Sequence, residues 1–84
     1  MRLIIDFSLI QTAGEFHHVL AQTVEFPDWY GHNLDALYDC LTELPETVHL
    51  ILKNWNVATA FSEGFENVFQ NAQADNPDFT VEYA

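Results

Sequence analysis

The sequence predicts a small α/β domain, a three-stranded parallel sheet with packed helices in the order β-α-α-β-α-β. Three observations point to it. Short apolar runs suited to strands lie near the start, the middle and the end of the 84 residues. Stretches with apolar residues at helical spacing separate them. Repeats, low-complexity tracts and linkers are absent, so residues 1–84 read as one domain. Strands joined through helices favour parallel pairing with right-handed connections, although the strand order does not follow from this.

Leu3 to Phe7 reads as a short buried strand. Thr12-Ala-Gly-Glu15 matches a capping box and opens a helix through about Thr23, with Phe16, Val19, Leu20 and Thr23 inward. Phe26-Pro-Asp-Trp-Tyr-Gly31 reads as a loop, because Pro27 disfavours helix before it and Gly31 readily adopts positive φ. A second helix runs from about Asn33 to Leu44, and Thr47 to Leu52 forms the second strand. Phe65, Val68, Phe69 and Ala72 recur at helical spacing behind Ser62, a candidate cap. Asn76-Pro77 ends that helix, and Phe79, Val81 and Tyr83 alternate with Thr80 and Glu82 as a final strand with one face inward.

Composition narrows the function. A chain of this length buries only ~60–65% of its unfolded surface, so the core is small, yet 49% hydrophobic residues argue against disorder. The single Cys40 cannot close an internal disulfide, which favours a reducing compartment. The apolar run Leu3-Ile4-Ile5 is too short for a signal-peptide core or a membrane span, and the expected location is the cytoplasm. Thirteen acids against Arg2 and Lys53 give a net charge of −11. Such a chain repels nucleic acid and anionic membranes and attracts basic partners. Acidity kept for solubility is the plain alternative.

The second helix separates the two readings. At ~100° per residue, Leu34, Leu37, Leu41 and Leu44 fall in a stripe about 80° wide, with Asp35, Asp39, Thr42 and Glu43 centred roughly 170° away. From Val24 to Thr47 the chain carries Glu25, Asp28, Asp35, Asp39, Glu43 and Glu46 and neither Lys nor Arg. Asp35 has an ordinary explanation, since a carboxylate in the first turn complements the helix dipole by ~0.3–1 kcal/mol. Asp39 lacks one. It is a poor helix former in mid-helix, four residues after a like charge that costs ~0.2–0.5 kcal/mol. Local rules broken without local gain point to binding. Trp29 and Tyr30 precede this face, and one of the pair is expected in the core, the other out as an anchor. Tyr38, on the boundary between the faces, suits either purpose.

Pro27 to Thr42, reading Pro-Asp-Trp-Tyr-Gly-His-Asn-Leu-Asp-Ala-Leu-Tyr-Asp-Cys-Leu-Thr, resembles the central segment of the barstar family of intracellular ribonuclease inhibitors. The Tyr-Gly-x-Asn-Leu-Asp-Ala-Leu-x-Asp core is highly specific. Weaker similarity covers nearly the whole chain, including His17, Leu20, Trp55, Val68-Phe69, Ala72 and Ala74. The resemblance implies the same fold and a one-to-one inhibitor, monomeric when free, that plugs the active site of a basic ribonuclease or nuclease toxin. It implies that Asp39 stands in for substrate phosphate among Arg, Lys and His side chains, that Asp35 meets a further Arg, and that Trp29 packs on the catalytic His. Asn33, Leu34, Tyr38 and Thr42 match other contact positions, and Glu43, on the acidic face, is expected to bind the target with them. Departures from the pattern bear on which nuclease is the target. Trp29 replaces a tyrosine, Tyr38 and Leu44 replace tryptophans, Glu43 replaces a glycine, Asn71 stands where the family has a contacting acid, and the segment from Trp55 to Phe69 is shorter.

Other classes have weaker support. His32, Asp35 and Asp39 are the conceivable metal ligands, but there is no two-His helical pair, Cys cluster or phosphate loop, so neither catalysis nor a cofactor is expected. Adjacent His17 and His18 point about 100° apart and suit one packed and one exposed ring. Cys40, away from the acidic face, reads as a core or boundary residue. A non-inhibitory acidic module that docks a basic protein other than a nuclease is the second reading.

Overall fold

The computed structural model describes residues 1–58 and 62–84. In it β1 (Arg2–Asp6), α1 (Ala13–Val24), α2 (Leu34–Thr42), β2 (Val48–Lys53), α3 (Ser62–Asp75) and β3 (Phe79–Tyr83) follow the expected order. The sheet is parallel throughout, with strand order β1-β2-β3. Right-handed crossovers between neighbouring strands taken in that order return on the same face, and the burial agrees. Ile5, Val48, Leu50, Leu52 and Phe79 are buried on the helix-covered face, whereas Arg2, Ile4, Asp6, Lys53, Thr80 and Glu82 are exposed on the other. Both of the chain's Lys and Arg residues thus lie on the uncovered side of the sheet.

Element ends shift for local reasons. Phe7, expected in the first strand, leaves it because an Asp6 carboxylate oxygen accepts from the Ser8 N–H at 2.9 Å and caps a 3-10 turn over Phe7–Leu9. Thr12 caps α1 as expected, its hydroxyl oxygen accepting from the Glu15 N–H at 3.1 Å. The inner face of α1 is turned from the expected one. Phe16, His17, Leu20 and Val24 are buried, while Val19 and Thr23 are only half-buried. The capping expected of the Ser62 side chain lies outside the described residues. Among the described residues, no helix is long and apolar enough to cross a membrane.

Aromatic packing dominates the core. Phe16 meets Phe7 at 4.5 Å and Phe65 at 4.6 Å between ring centroids, and Trp55 lies edge-on to Phe7 at 4.7 Å. Each such pair contributes ~0.5–1.5 kcal/mol beyond its area burial. The Trp55 indole N–H is not stranded by burial, since it donates to Glu66 Oε1 at 2.6 Å. α2 rests on this core through Leu37 and Leu41, both fully buried. Buried Asn76, just after α3, donates to the Leu41 carbonyl at 2.9 Å and fixes the C-terminal end of α2. The acidic face of α2 is therefore held from beneath and from one end.

Candidate functional site

The site begins where α1 stops. Glu25 takes the left-handed conformation at φ 59°, and the Phe26 N–H reaches back to the Ala21 carbonyl at 3.0 Å, closing the helix. The Tyr30 N–H then donates to the Pro27 carbonyl at 3.0 Å, a turn that throws one aromatic each way. Trp29 is 58% exposed and Tyr30 only 6%, so one of the pair is out and the other in, as expected. The Tyr30 hydroxyl pairs with Nδ1 of buried His17, which explains the turned face of α1. Burial raises the Tyr30 phenol pKa, while burial and then neighbouring His32 hold the His17 ring below its ordinary value. His18 is exposed, so the two adjacent histidines divide as expected.

Gly31 corrects an expectation. Its φ is not positive, and His32 at φ 53° makes the left-handed turn instead. Glycine at position 31 permits a close approach, because a Cβ there would lie 2.9 Å from Nδ2 of Asn33 and that side chain would have to shift. That amide nitrogen donates to the Gly31 carbonyl at 3.3 Å, and Asn33 Oδ1 accepts from the Ala36 N–H at 2.8 Å. Asn33 thus caps α2 and ties the turn to it.

Along α2, Asp35, Asp39 and Glu43 are exposed on one side. Their carboxylates have no hydrogen-bond or ion-pair partner among the described residues, where the one ion pair is His49 with Glu82 on the sheet's uncovered face. The Thr42 hydroxyl donates back to the Tyr38 and Asp39 carbonyls, at 3.0 and 3.1 Å, so it lies against the helix. The helix ends at Thr42, two residues before the expected Leu44, since Pro45 disfavours helix in the residue before it. Leu34 departs from the apolar stripe and is 37% exposed at the first turn. It still meets α3, where a Cβ on Gly64 would come within 2.9 Å of Leu34 Cδ1. Leu44 is half-buried. Cys40 is buried, and burial first, then Asp39 and Glu43, push its thiol pKa up to about 11, which leaves a neutral thiol and no nucleophile.

Tyr38 resolves toward the neighbouring helix. It is half-buried, its hydroxyl donates to the Asp75 carboxylate, and that contact raises its pKa. Asp75 thereby joins the acidic surface from the last turn of α3, a residue the sequence reading passed over. The available signal was a carboxylate placed where the helix dipole disfavours it. Asn71 is exposed on the same helix. The structure gathers Trp29, Leu34, Asp35, Tyr38, Asp39, Thr42 and Glu43 onto one turn and helix, with Asn33 between the two. Among the described residues, no group of three or more His, Cys, Asp or Glu is placed to hold a metal ion, His32, Asp35 and Asp39 included.

Two comparisons relate the chain to known proteins. The profile of the family described as Barstar (barnase inhibitor) matches residues 1–84. A protein of Bacillus subtilis (strain 168), described as Putative ribonuclease inhibitor YrdF, is 38% identical over 84 residues, covering 92% of this chain and 90% of that one. The chain belongs to the barstar family, whose members act as inhibitors and not as enzymes.

Proposed function

We propose that this chain inhibits a basic ribonuclease by seating the acidic face of α2 and the turn before it in the enzyme's active site, one inhibitor to one enzyme. The observation that carries the reading is the set of exposed carboxylates at Asp35, Asp39 and Glu43, unpaired among the described residues and kept apart from the chain's own cations. A ribonuclease binds phosphates with Arg, Lys and His side chains, and a row of fixed carboxylates offers those groups the charge and hydrogen-bond acceptors of the substrate backbone. Asp39 occupies the phosphate position, Asp35 meets a further Arg, and Trp29 stacks on the catalytic His. Asn33, Leu34, Tyr38 and Thr42 frame the contact. Rigidity supports the role: Asn33 fixes one end of α2 and Asn76 the other, so little order remains to be lost on binding.

The test is a titration of several basic ribonucleases with the purified chain. The expected result is loss of activity against at least one enzyme, with an end point at one equivalent. Binding to a basic protein that is no nuclease, with every ribonuclease left active, would favour a non-inhibitory docking module instead.

A further inference from the structure

A cavity of about 170 Å3 opens beyond the C-terminal ends of α1 and α2, beside the proposed inhibitory face. A single ordered water needs only ~10–15 Å3 by this kind of measure, so the space admits a group of several atoms. Leu44 and Val48 are among its apolar lining, the exposed Trp29 indole adds an aromatic wall, and Glu25, Glu43 and Glu46 bring carboxylates to it. The three glutamate side chains have no hydrogen-bond or ion-pair partner among the described residues.

That lining selects its occupant. Apolar walls accept an aliphatic stem, while an indole face and carboxylates attract the cation at its end. An anion is repelled there, and a neutral group leaves the carboxylates uncompensated. Glu25 adds a separate argument. It holds a left-handed backbone, where glycine or asparagine is favoured, and puts a carboxylate at a helix C-terminus against the dipole. No described residue pairs with it to offset either cost, the pattern expected of a side chain kept for an outside cation.

We infer that this cavity takes the ammonium or guanidinium end of a lysine or arginine side chain from the inhibited enzyme, at the rim of its catalytic centre and not among its catalytic groups. The source of that side chain rests on the ribonuclease reading above. Glu25 and Glu46 thereby extend recognition past the residues of α2, so that two enzymes with the same active site are told apart by whether a basic side chain stands opposite this cavity.

The cavity is tested first on the free chain, titrated with butylguanidine and with butylurea, its neutral isostere, while amide and indole resonances are followed. Butylguanidine is expected to shift the Trp29 indole and the amides of residues 25, 43 and 46 saturably, and butylurea to leave them in place. Glu25→Gln with Glu46→Gln should weaken this binding roughly threefold to tenfold. Equal shifts from both compounds, or no saturable shift, overturn the inference. The source is tested with a ribonuclease that the wild-type chain inhibits. The double variant should speed dissociation at least about threefold, against less than about twofold for Glu15→Gln with Glu63→Gln, which makes the same charge change elsewhere; long-range steering acts mainly on association. A double variant that inhibits and dissociates like wild type overturns the assignment to the partner's side chain. Failure of the ribonuclease reading looks different: the wild-type chain itself then inhibits no ribonuclease.

Discussion

Asp39→Ala should move stability and inhibition in opposite directions. Asp39 is exposed in the second half of α2, and its carboxylate has no hydrogen-bond or ion-pair partner among the described residues, so its removal leaves nothing unsatisfied. Alanine improves helix propensity by ~0.5–0.7 kcal/mol. It also relieves repulsion from Asp35, one turn away, worth ~0.2–0.5 kcal/mol. The free protein should therefore gain ~0.7–1.2 kcal/mol, which raises the midpoint of thermal unfolding by ~3–10 °C in a domain of this size. Inhibition should suffer far more, since removing one member of a desolvated charge pair costs ~2–5 kcal/mol of binding. Asp35→Ala should gain less stability or lose some, because Asp35 complements the N-terminus of α2. Urea unfolding beside inhibition constants checks both quantities on the same samples. A lower unfolding midpoint for Asp39→Ala with inhibition intact would make Asp39 a structural residue and refute the reasoning.

Three further outcomes are expected. Association with the target should slow steeply between about 0.05 and 0.5 M salt, because the −11 charge steers encounter over a screening length of ~10 Å at about 0.1 M; a rate indifferent to salt removes steering from the account. Buried His17 is held below its ordinary pKa of 6.5, so the unfolded chain takes up a proton first as pH falls, and this contribution is present above about pH 6.5 and lost below it. Urea midpoints measured from pH 7.5 to 5.5 should accordingly fall more for wild type than for His17→Asn, and parallel slopes would contradict that sign. Asn33→Ala should cost ~1 kcal/mol of stability through loss of the α2 cap and should weaken inhibition as well, read by the same unfolding and inhibition assays.

The order of elements, the two faces of α2 and the division between Trp29 and Tyr30 were legible because each rests on local periodicity or on a turn. What the sequence hid depends on contacts between distant segments. The inner face of α1 turned because His17 pairs with Tyr30, thirteen residues on, and no helical spacing announces that pairing. Asp75 enters the acidic surface through Tyr38, across a separation of 37 residues. The left-handed residue proved to be His32, while Gly31 lies close against Asn33, and sequence cannot distinguish such a close approach from a need for positive φ. Leu34 belongs to the apolar pattern in the sequence, yet at the first turn of α2 it is 37% exposed, beside Gly64 of α3. Residue roles at the site were the least accessible, since Asn33 and Thr42 spend hydrogen bonds on the helix itself and only geometry reveals it.

Competition for the ribonuclease active site tests the central claim most directly. The enzyme that this chain inhibits is loaded with increasing 3′-mononucleotide, and the apparent dissociation constant of the complex is measured at each concentration. If the acidic face of α2 occupies the phosphate site, that constant rises in proportion to nucleotide concentration, without a plateau, once the active site is mostly filled. Unchanged affinity at saturating nucleotide would contradict the account, because the chain would then be bound somewhere other than the active site.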